Sequence, residues 1–238
     1  MRLHLLGING PFPDSCGATS GYLLEAGEHL FQFDLGSGVL GMLTALTAPE
    51  SLSALFVSHW HFDHAADIPV LMYRLQAYGK TLPVFGPCDP SSPLYSIVSS
   101  VSCFSFTEVS AGQSLSQHGA EIRVAAARHP VPAVGYRLTV NGRTFGYTGD
   151  TNTLPSLVED YRNCDLLLAD GLFPSDNWSE SKPHLSAELA ARLAADASVG
   201  SLIITHLNPL FPRRTLLDEA RAIYPRARLA ESGAVFDL

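Results

Sequence analysis

The chain has 238 residues, of which 46% are hydrophobic, so it can bury a sizeable core within one large domain. This composition excludes the disordered and fibrous classes of protein. The formal net charge is -8 at pH 7 and the sequence has no basic run, which excludes an extended surface for a long polyanion.

Apolar stretches predict alternating strands and helices in both halves of the chain. Strands are predicted over residues 2–8, 20–27, 29–36, 52–59, 81–87, 120–128, 134–140, 143–150, 165–170, 201–206 and 228–235. Helices are predicted over residues 38–48, 68–79, 187–197 and 215–224. The dipeptide Asn141-Gly142 predicts a hairpin turn. This order indicates mixed sheets covered by helices, an α/β architecture, in a single domain over residues 1–238.

The cysteines and the apolar segments bear on the compartment of the protein. Its four cysteines are far apart and form no C-x-x-C pair: Cys16, Cys88, Cys103 and Cys164. The pattern predicts neither a disulfide framework nor a thiolate zinc site. The first residues have too short an apolar run for a signal peptide, and no later segment approaches the roughly 20 apolar residues of a membrane span. We therefore expect a cytoplasmic protein with no membrane partner.

Polar residues of the kind that bind metals follow five of the predicted strands, at the point where each strand ends. These residues are His59, His129, Asp150, Asp170 and His206. In sheets of this kind, functional sites form beyond the carboxyl ends of the strands. We therefore expect the histidines to meet in space.

The stretch SHWHFDHAAD concentrates ligand-type side chains after the apolar run LSALFV. It contains His59, His61, Asp63 and His64 in the pattern H-x-H-x-D-H. In a loop at a strand end, imidazoles at positions i and i+2 reach one ion, while the adjacent aspartate and histidine turn towards a second ion. The motif therefore predicts a site for two metals.

HWHFDH resembles the signature of the metallo-β-lactamase superfamily. The order of the later segments RHPVPAVGYR, YTGDT, LLLADGLF, KPHLS and LIITHLNP is similar to the ribonuclease Z and phosphodiesterase branch. The likeness extends from ATSGYLLEAG to ITHL, which is nearly the whole chain. It implies a four-layered αββα sandwich, in which helices cover the outer faces of two mixed sheets, with a binuclear metal site at one edge.

The resemblance also implies which residues hold the metals. His59, His61 and His129 would hold one ion, Asp63, His64 and His206 would hold the other, and Asp150 would bridge them. Imidazole and carboxylate ligands without thiolate favour Zn²⁺ and also accept Mn²⁺ or Fe. Two such ions would lower the pKa of a bridging water, so that a hydroxide becomes the nucleophile at neutral pH.

The resemblance implies catalytic roles for His184, Asp63 and Asp170. His184 in KPHLS matches the histidine of the H-S-T type motif of ribonuclease Z, although Leu185 stands where that pattern has serine. It precedes a predicted helix with Ser186 as N-cap, where it could contact a phosphate and protonate a departing oxygen. Asp170 stands in the place of a glutamate that orients this histidine, and it is shorter by one methylene. Asp34 is a candidate to fix the tautomer of a ligand histidine.

Four functions remain open. The first is hydrolysis of small phosphodiesters such as cyclic nucleotides. The second is tRNA 3′ processing, which we disfavour because the stretch from Ala65 to Arg128 is compact and contains a single lysine instead of a lysine-rich docking arm. The third is a metal-binding carrier without catalysis, which the full set of seven ligands disfavours. The fourth is hydrolysis of lactones or thioesters, a separate catalytic alternative. The proteins that this chain resembles often form homodimers, and the sequence leaves the oligomeric state open.

Overall fold

Runs of apolar residues form the strands of both sheets. A computed structural model describes residues 1–15 and 17–238, so Cys16 lies outside the described residues. The strands are β1 (Arg2–Asn9), β2 (Ala18–Thr19), β3 (Gly21–Ala26), β4 (His29–Phe33), β5 (Ala54–Phe56), β6 (Leu82–Gly86), β7 (Phe104–Glu108), β8 (Ser114–Gln117), β9 (Ala120–Ala126), β10 (Val134–Val140), β11 (Arg143–Tyr147), β12 (Leu166–Asp170), β13 (Ser201–Thr205), β14 (Arg228–Leu229) and β15 (Val235–Asp237).

The helices are mostly short. They are α1 (Val39–Leu46), α2 (Phe62–Ala65), α3 (Ile68–Ala77), α4 (Pro93–Ser100), α5 (Leu157–Asp160), α6 (Ala187–Asp196) and α7 (Arg213–Ile223). Single 3₁₀ turns span Pro49–Ser51 and Ser175–Asn177. No helix among residues 1–15 and 17–238 has both the length and the apolar character needed to cross a membrane.

The chain forms two units, each built around one sheet. The first unit comprises Met1–Val109 and Ser232–Asp237, and the second comprises Ser110–Glu231 and Leu238. The assignment of residues 1–238 to one domain stays a prediction.

The sheet of the first unit is mixed and has eight strands. Its order is β15-β1-β3-β4-β5-β6-β7, with β2 beside β1. The neighbours from β4 to β7 are parallel, so their carboxyl ends reach the same edge, where Asp34 and His59 follow β4 and β5. Val39 and Leu43 of α1 and Leu71 of α3 are fully buried in one hydrophobic cluster with strand residues. This packing holds the edge that carries the ligand-type residues.

The sheet of the second unit is also mixed, in the order β14-β13-β12-β11-β10-β9-β8. The strands from β8 to β11 are antiparallel, and those from β11 to β14 are parallel. Because β9 and β11 each run antiparallel to β10, they point in the same direction. The carboxyl ends of β9, β11, β12 and β13 therefore meet at one edge, as the sequence predicts.

Several local predictions are confirmed. Val140 pairs with Arg143 across the β10–β11 hairpin, and Asn141 and Gly142 between them have φ values of 50° and 76°. These left-handed conformations are those of a type I′ turn. The α/β class with two mixed sheets and helices is also confirmed.

The last predicted strand, over residues 228–235, is wrong as a single element. β14 pairs with β13 in the second sheet, whereas β15 pairs with β1 in the first sheet. The chain turns between them at Gly233, which has a φ of 81° and donates its N–H to the carbonyl of Leu5 at 2.8 Å. An extended run cannot continue through a left-handed residue, so the apolar pattern spans two strands.

Candidate metal centre

Four predicted ligands lie in the first unit, on the segment that follows β5. His61 immediately precedes α2, and Asp63 and His64 belong to that helix. His59 Nε2 lies 3.0 Å from His61 Nδ1, and Asp63 Oδ2 lies 3.6 Å from His64 Nε2. His59 and His64 are fully buried. The motif therefore brings its donor atoms together in two pairs, as its spacing predicts.

Asp34 contacts one of these histidines from the end of β4. Its Oδ2 lies 2.7 Å from His64 Nδ1, and both side chains are fully buried. The same carboxylate accepts the N–H of Ser58 at 2.7 Å and its hydroxyl at 2.8 Å. A proton on His64 Nδ1 that is donated to Asp34 leaves the lone pair on Nε2, which is the form that binds a metal. Asp34 thus has the contact that its predicted role requires.

The second unit contributes residues from four strand ends. His129 follows β9, Asp150 follows β11, Asp170 ends β12 and His206 follows β13. His206 Nε2 lies 3.4 Å from Asp150 Oδ2. Three nitrogen or oxygen atoms, one from each of His129, Asp150 and His184, lie within 4.8 Å of one another. Three such atoms from Asp170, His184 and His206 also lie within 4.8 Å of one another. Within this unit, the strand ends meet as predicted.

His184 contacts Asp170 directly. Its Nδ1 lies 2.9 Å from Asp170 Oδ2, and both residues are buried. Asp170 also accepts the N–H of Thr151 at 3.1 Å and that of Leu172 at 3.2 Å, so its carboxylate is held from three directions. The aspartate therefore reaches the histidine although it is shorter than the glutamate of the ribonuclease Z pattern.

The local fold brings His184 to this position. It stands two residues before the N-cap of α6, and Ser186 Oγ accepts the N–H of Leu189 at 3.2 Å. The predicted N-cap is thus confirmed. Its loop is tied to the end of β9, because His129 Nδ1 lies 3.3 Å from the carbonyl oxygen of Pro183. This hydrogen bond leaves Nε2 of His129 as the nitrogen suited to a metal.

The donor atoms in each unit fit a divalent ion. Two ligands bound to one tetrahedral Zn²⁺ at about 2.0 to 2.2 Å would have their donor atoms roughly 3.3 to 3.6 Å apart. The observed pairs are close to this range, at 3.0 Å for His59 and His61, 3.6 Å for Asp63 and His64, and 3.4 Å for Asp150 and His206. The donor set contains imidazole and carboxylate groups without thiolate, which suits Zn²⁺, Mn²⁺ or Fe.

Two residues with contacts to this set are missing from the sequence interpretation. Ser58 bonds Asp34, and its hydroxyl also lies 3.0 Å from His59 Nδ1. Asn152 is fully buried and holds the loop before His184. The sequence contains a signal for both Ser58 and Asn152, because each is a polar residue within two positions of a predicted ligand at a strand end.

Comparisons with known proteins agree with this architecture. A family model described as the β-lactamase superfamily domain matches residues 22–207. The chain is 30% identical to the probable metallo-hydrolase YhfI of Bacillus subtilis, over 100% of both chains. The crystal structure of that protein superposes with a TM-score of 0.93 over 99% of this chain and 98% of that chain.

Ribonuclease Z proteins are also similar. The enzyme of Methanosarcina acetivorans is 25% identical over 97% of this chain and 96% of its own. The crystal structure of the short form of human tRNase Z has a TM-score of 0.82 at 18% identity, over 100% of this chain and 99% of that chain.

The chain therefore belongs to the β-lactamase superfamily, and the predicted metallo-β-lactamase fold is confirmed. Within that superfamily it is a metal-dependent hydrolase of the ribonuclease Z-like branch. Membership of this group implies divalent metal ions. The roles of individual residues stay predictions.

Proposed function

We propose that the protein hydrolyses small phosphodiesters, such as cyclic nucleotides, with two divalent ions, for which Zn²⁺ suits the donors. His59, His61 and His129 would hold one ion, Asp63, His64 and His206 would hold the other, and Asp150 would bridge them. When bound, the ions lower the pKa of a water that attacks phosphorus and balance the charge of the phosphate.

The contact between His184 and Asp170, at 2.9 Å, is the observation that carries this proposal. Hydrolysis of a natural phosphodiester expels an alkoxide, which needs a proton as it leaves. Asp170 fixes His184 with Nδ1–H directed at the carboxylate and stabilises the imidazolium. His184 would then hold the transferable proton on Nε2. A thioester expels a thiolate, which needs no such acid, so this pair favours oxygen leaving groups.

Processing of tRNA is the second candidate, because similar proteins are named ribonuclease Z. The alignment with the Methanosarcina acetivorans enzyme spans 293 positions, whereas this chain has only 238 residues. That relative therefore carries segments without a counterpart here. A chain of net charge -8 that lacks such segments would approach a long polyanion against its own field. We therefore favour the small substrates.

Two substrates with different leaving groups test the mechanism. We expect the protein loaded with Zn²⁺ or Mn²⁺ to hydrolyse both bis-p-nitrophenyl phosphate and a cyclic nucleotide. His184→Ala should keep its metal and lose about 10²- to 10⁴-fold in turnover of the cyclic nucleotide. Its loss on bis-p-nitrophenyl phosphate should be smaller, because p-nitrophenolate leaves without a proton at neutral pH. Asp150→Ala should lose metal as well as activity, which elemental analysis measures.

The matched control is His118→Ala, which removes an exposed histidine in the turn between β8 and β9 and should behave as the wild type. Turnover of lactones or thioesters without any phosphodiester cleavage would reject the proposal. Efficient cleavage of precursor tRNA at low enzyme concentration would favour the second candidate. Equal losses of His184→Ala on both phosphodiesters would contradict the assigned proton transfer.

A further inference from the structure

A cavity of about 200 Å³ lies beside His129 in the second unit. Residues 128–130 form one wall and residues 180–183 form the other. Arg128 and Lys182 bring two positive charges to this cavity and Glu180 brings one negative charge, so its lining has a net positive charge. The charge of the cavity lining is thus opposite in sign to that of the whole chain, which has a net charge of -8.

The two cationic groups are held by neutral partners. Arg128 Nη2 donates to the backbone carbonyl oxygen of Glu180 at 2.7 Å. Lys182 Nζ lies over the ring of Phe173, 5.2 Å from its centroid. Neither side chain forms an ion pair with a carboxylate among residues 1–15 and 17–238. The charges of both groups are therefore available to an anionic ligand.

Two other arginines of the same unit differ in this respect. Arg143 pairs with Asp165 and Arg192 pairs with Glu188, each at 2.8 Å. Their guanidinium charges are balanced by carboxylates. Because some arginines elsewhere in this unit also bond backbone carbonyl oxygens, the place of the two cations beside the predicted ligand His129 is what points to an anionic ligand.

Asn152 holds both walls of the cavity in place. Its Nδ2 donates to the carbonyl oxygen of Lys182 at 2.6 Å and to that of Ser179 at 3.3 Å. Its backbone N–H donates to the carbonyl oxygen of Arg128 at 3.0 Å. Because Asn152 is fully buried, these bonds fix the backbone of the two cationic residues before a ligand arrives. Less conformational entropy is therefore lost when a ligand binds to these two residues.

We propose that Arg128 and Lys182 bind a second, non-scissile phosphate of the substrate. The inference rests on the proposed phosphodiesterase function and adds to it a preference for substrates with a phosphate beyond the one that is cleaved. A guanidinium presents a fork of donors to phosphate oxygens, and an ammonium adds a compact point charge. Together they match a terminal phosphate, which carries up to two negative charges at neutral pH.

Two substrates that differ only in a terminal phosphate test this inference. These are the dinucleoside monophosphate ApA and its 5′-phosphorylated form pApA. We expect the metal-loaded wild type to have the higher kcat/KM for pApA. Lys182→Gln and Arg128→Gln should each lower the pApA to ApA ratio by about 10-fold, the effect of one hydrogen bond to a charged group. Lys182→Arg, which keeps the charge, should retain most of the preference.

Lys80→Gln is the matched control, because it removes the other lysine, which is exposed and lies in the first unit. Its ratio should equal that of the wild type. Cleavage of bis-p-nitrophenyl phosphate and ApA without a preference for pApA would overturn the second phosphate subsite and leave the proposed function standing. Equal losses on ApA and pApA in the Lys182 and Arg128 variants would also overturn it. Failure to cleave any phosphodiester would remove the proposed function and this inference together.

Discussion

Asp34 has a backbone that few residues other than glycine adopt, with a φ of 51°. It is fully buried, and both of its carboxylate oxygens form hydrogen bonds, with Ser58 and with His64. A buried carboxylate in an uncommon conformation persists only where its surroundings hold it. At this position the hydrogen bonds orient the imidazole of His64. His206 has a similar φ of 56°, so two residues of the predicted site share this feature.

Asp34→Ala should lower the affinity for metal about 10- to 100-fold, the usual effect of removing a carboxylate that orients a ligand histidine. The reason is that His64 Nδ1 loses its acceptor at 2.7 Å. Competition with a chelator, followed by elemental analysis, measures the change. The control is Glu28→Ala, at an exposed position in the turn between β3 and β4. Unchanged metal affinity in Asp34→Ala would mean that the contact does not orient a ligand.

Two glycines illustrate how single elements depend on backbone conformation. Gly41 lies in α1, where an added Cβ would meet no atom within 4 Å. Gly142, in the β10–β11 hairpin, has the same open surroundings but a φ of +76°. Because space is available at both positions, the effects of the two alanine substitutions on the free energy of unfolding should differ only because the backbone conformations differ. Helical glycine is unfavourable relative to alanine, whereas a left-handed residue favours glycine.

We expect Gly41→Ala to raise the free energy of unfolding by about 0.5 to 1 kcal/mol. Gly142→Ala should lower it by about 1 to 2 kcal/mol, because alanine is strained in the left-handed conformation. Urea denaturation of the two variants beside the wild type measures both changes. A change of the same sign in both variants would contradict this explanation.

The whole molecule contains buried groups that keep their protons at alkaline pH. Burial raises the pKa of the Cys164 thiol to about 11, against an ordinary value of 9.0. Burial also raises the pKa of Tyr161 well above its ordinary value, with a smaller effect of nearby Asp160. The Tyr161 hydroxyl donates to the carbonyl oxygen of Tyr147 at 3.0 Å. At a pH above the ordinary pKa of each group, the unfolded chain loses a proton that the folded protein still keeps. The unfolded state is then stabilised relative to the folded state.

The free energy of unfolding should therefore fall as the pH rises above about 9. The unfolded thiol loses its proton near pH 9, whereas folded Cys164 keeps it until about pH 11. The decline from this group amounts to about 3 kcal/mol at most. Urea denaturation between pH 8 and pH 11 should give a shallower decline in Cys164→Ala than in the wild type. Cys88→Ala, which removes an exposed thiol, should follow the wild type. An unchanged pH dependence in Cys164→Ala would contradict this prediction.

The sequence by itself determined the features that depend on short stretches of chain. The H-x-H-x-D-H motif determines the local pairing of its donors, because the residues are separated by at most five positions. Asn141 and Gly142 determine a hairpin, since their left-handed conformations suit that turn. Apolar periodicity predicts most strands and the α/β class, because it reports which face of an element is buried.

Only the tertiary structure decided the contacts between distant stretches. Asp34 reaches His64 across 30 positions, and Asn152 joins the segments of Arg128 and Lys182. The division of the last predicted strand between two sheets is of the same kind. Such contacts depend on strand register and on where each loop returns to its sheet. Local periodicity carries no information on either, since the same apolar pattern suits many pairings.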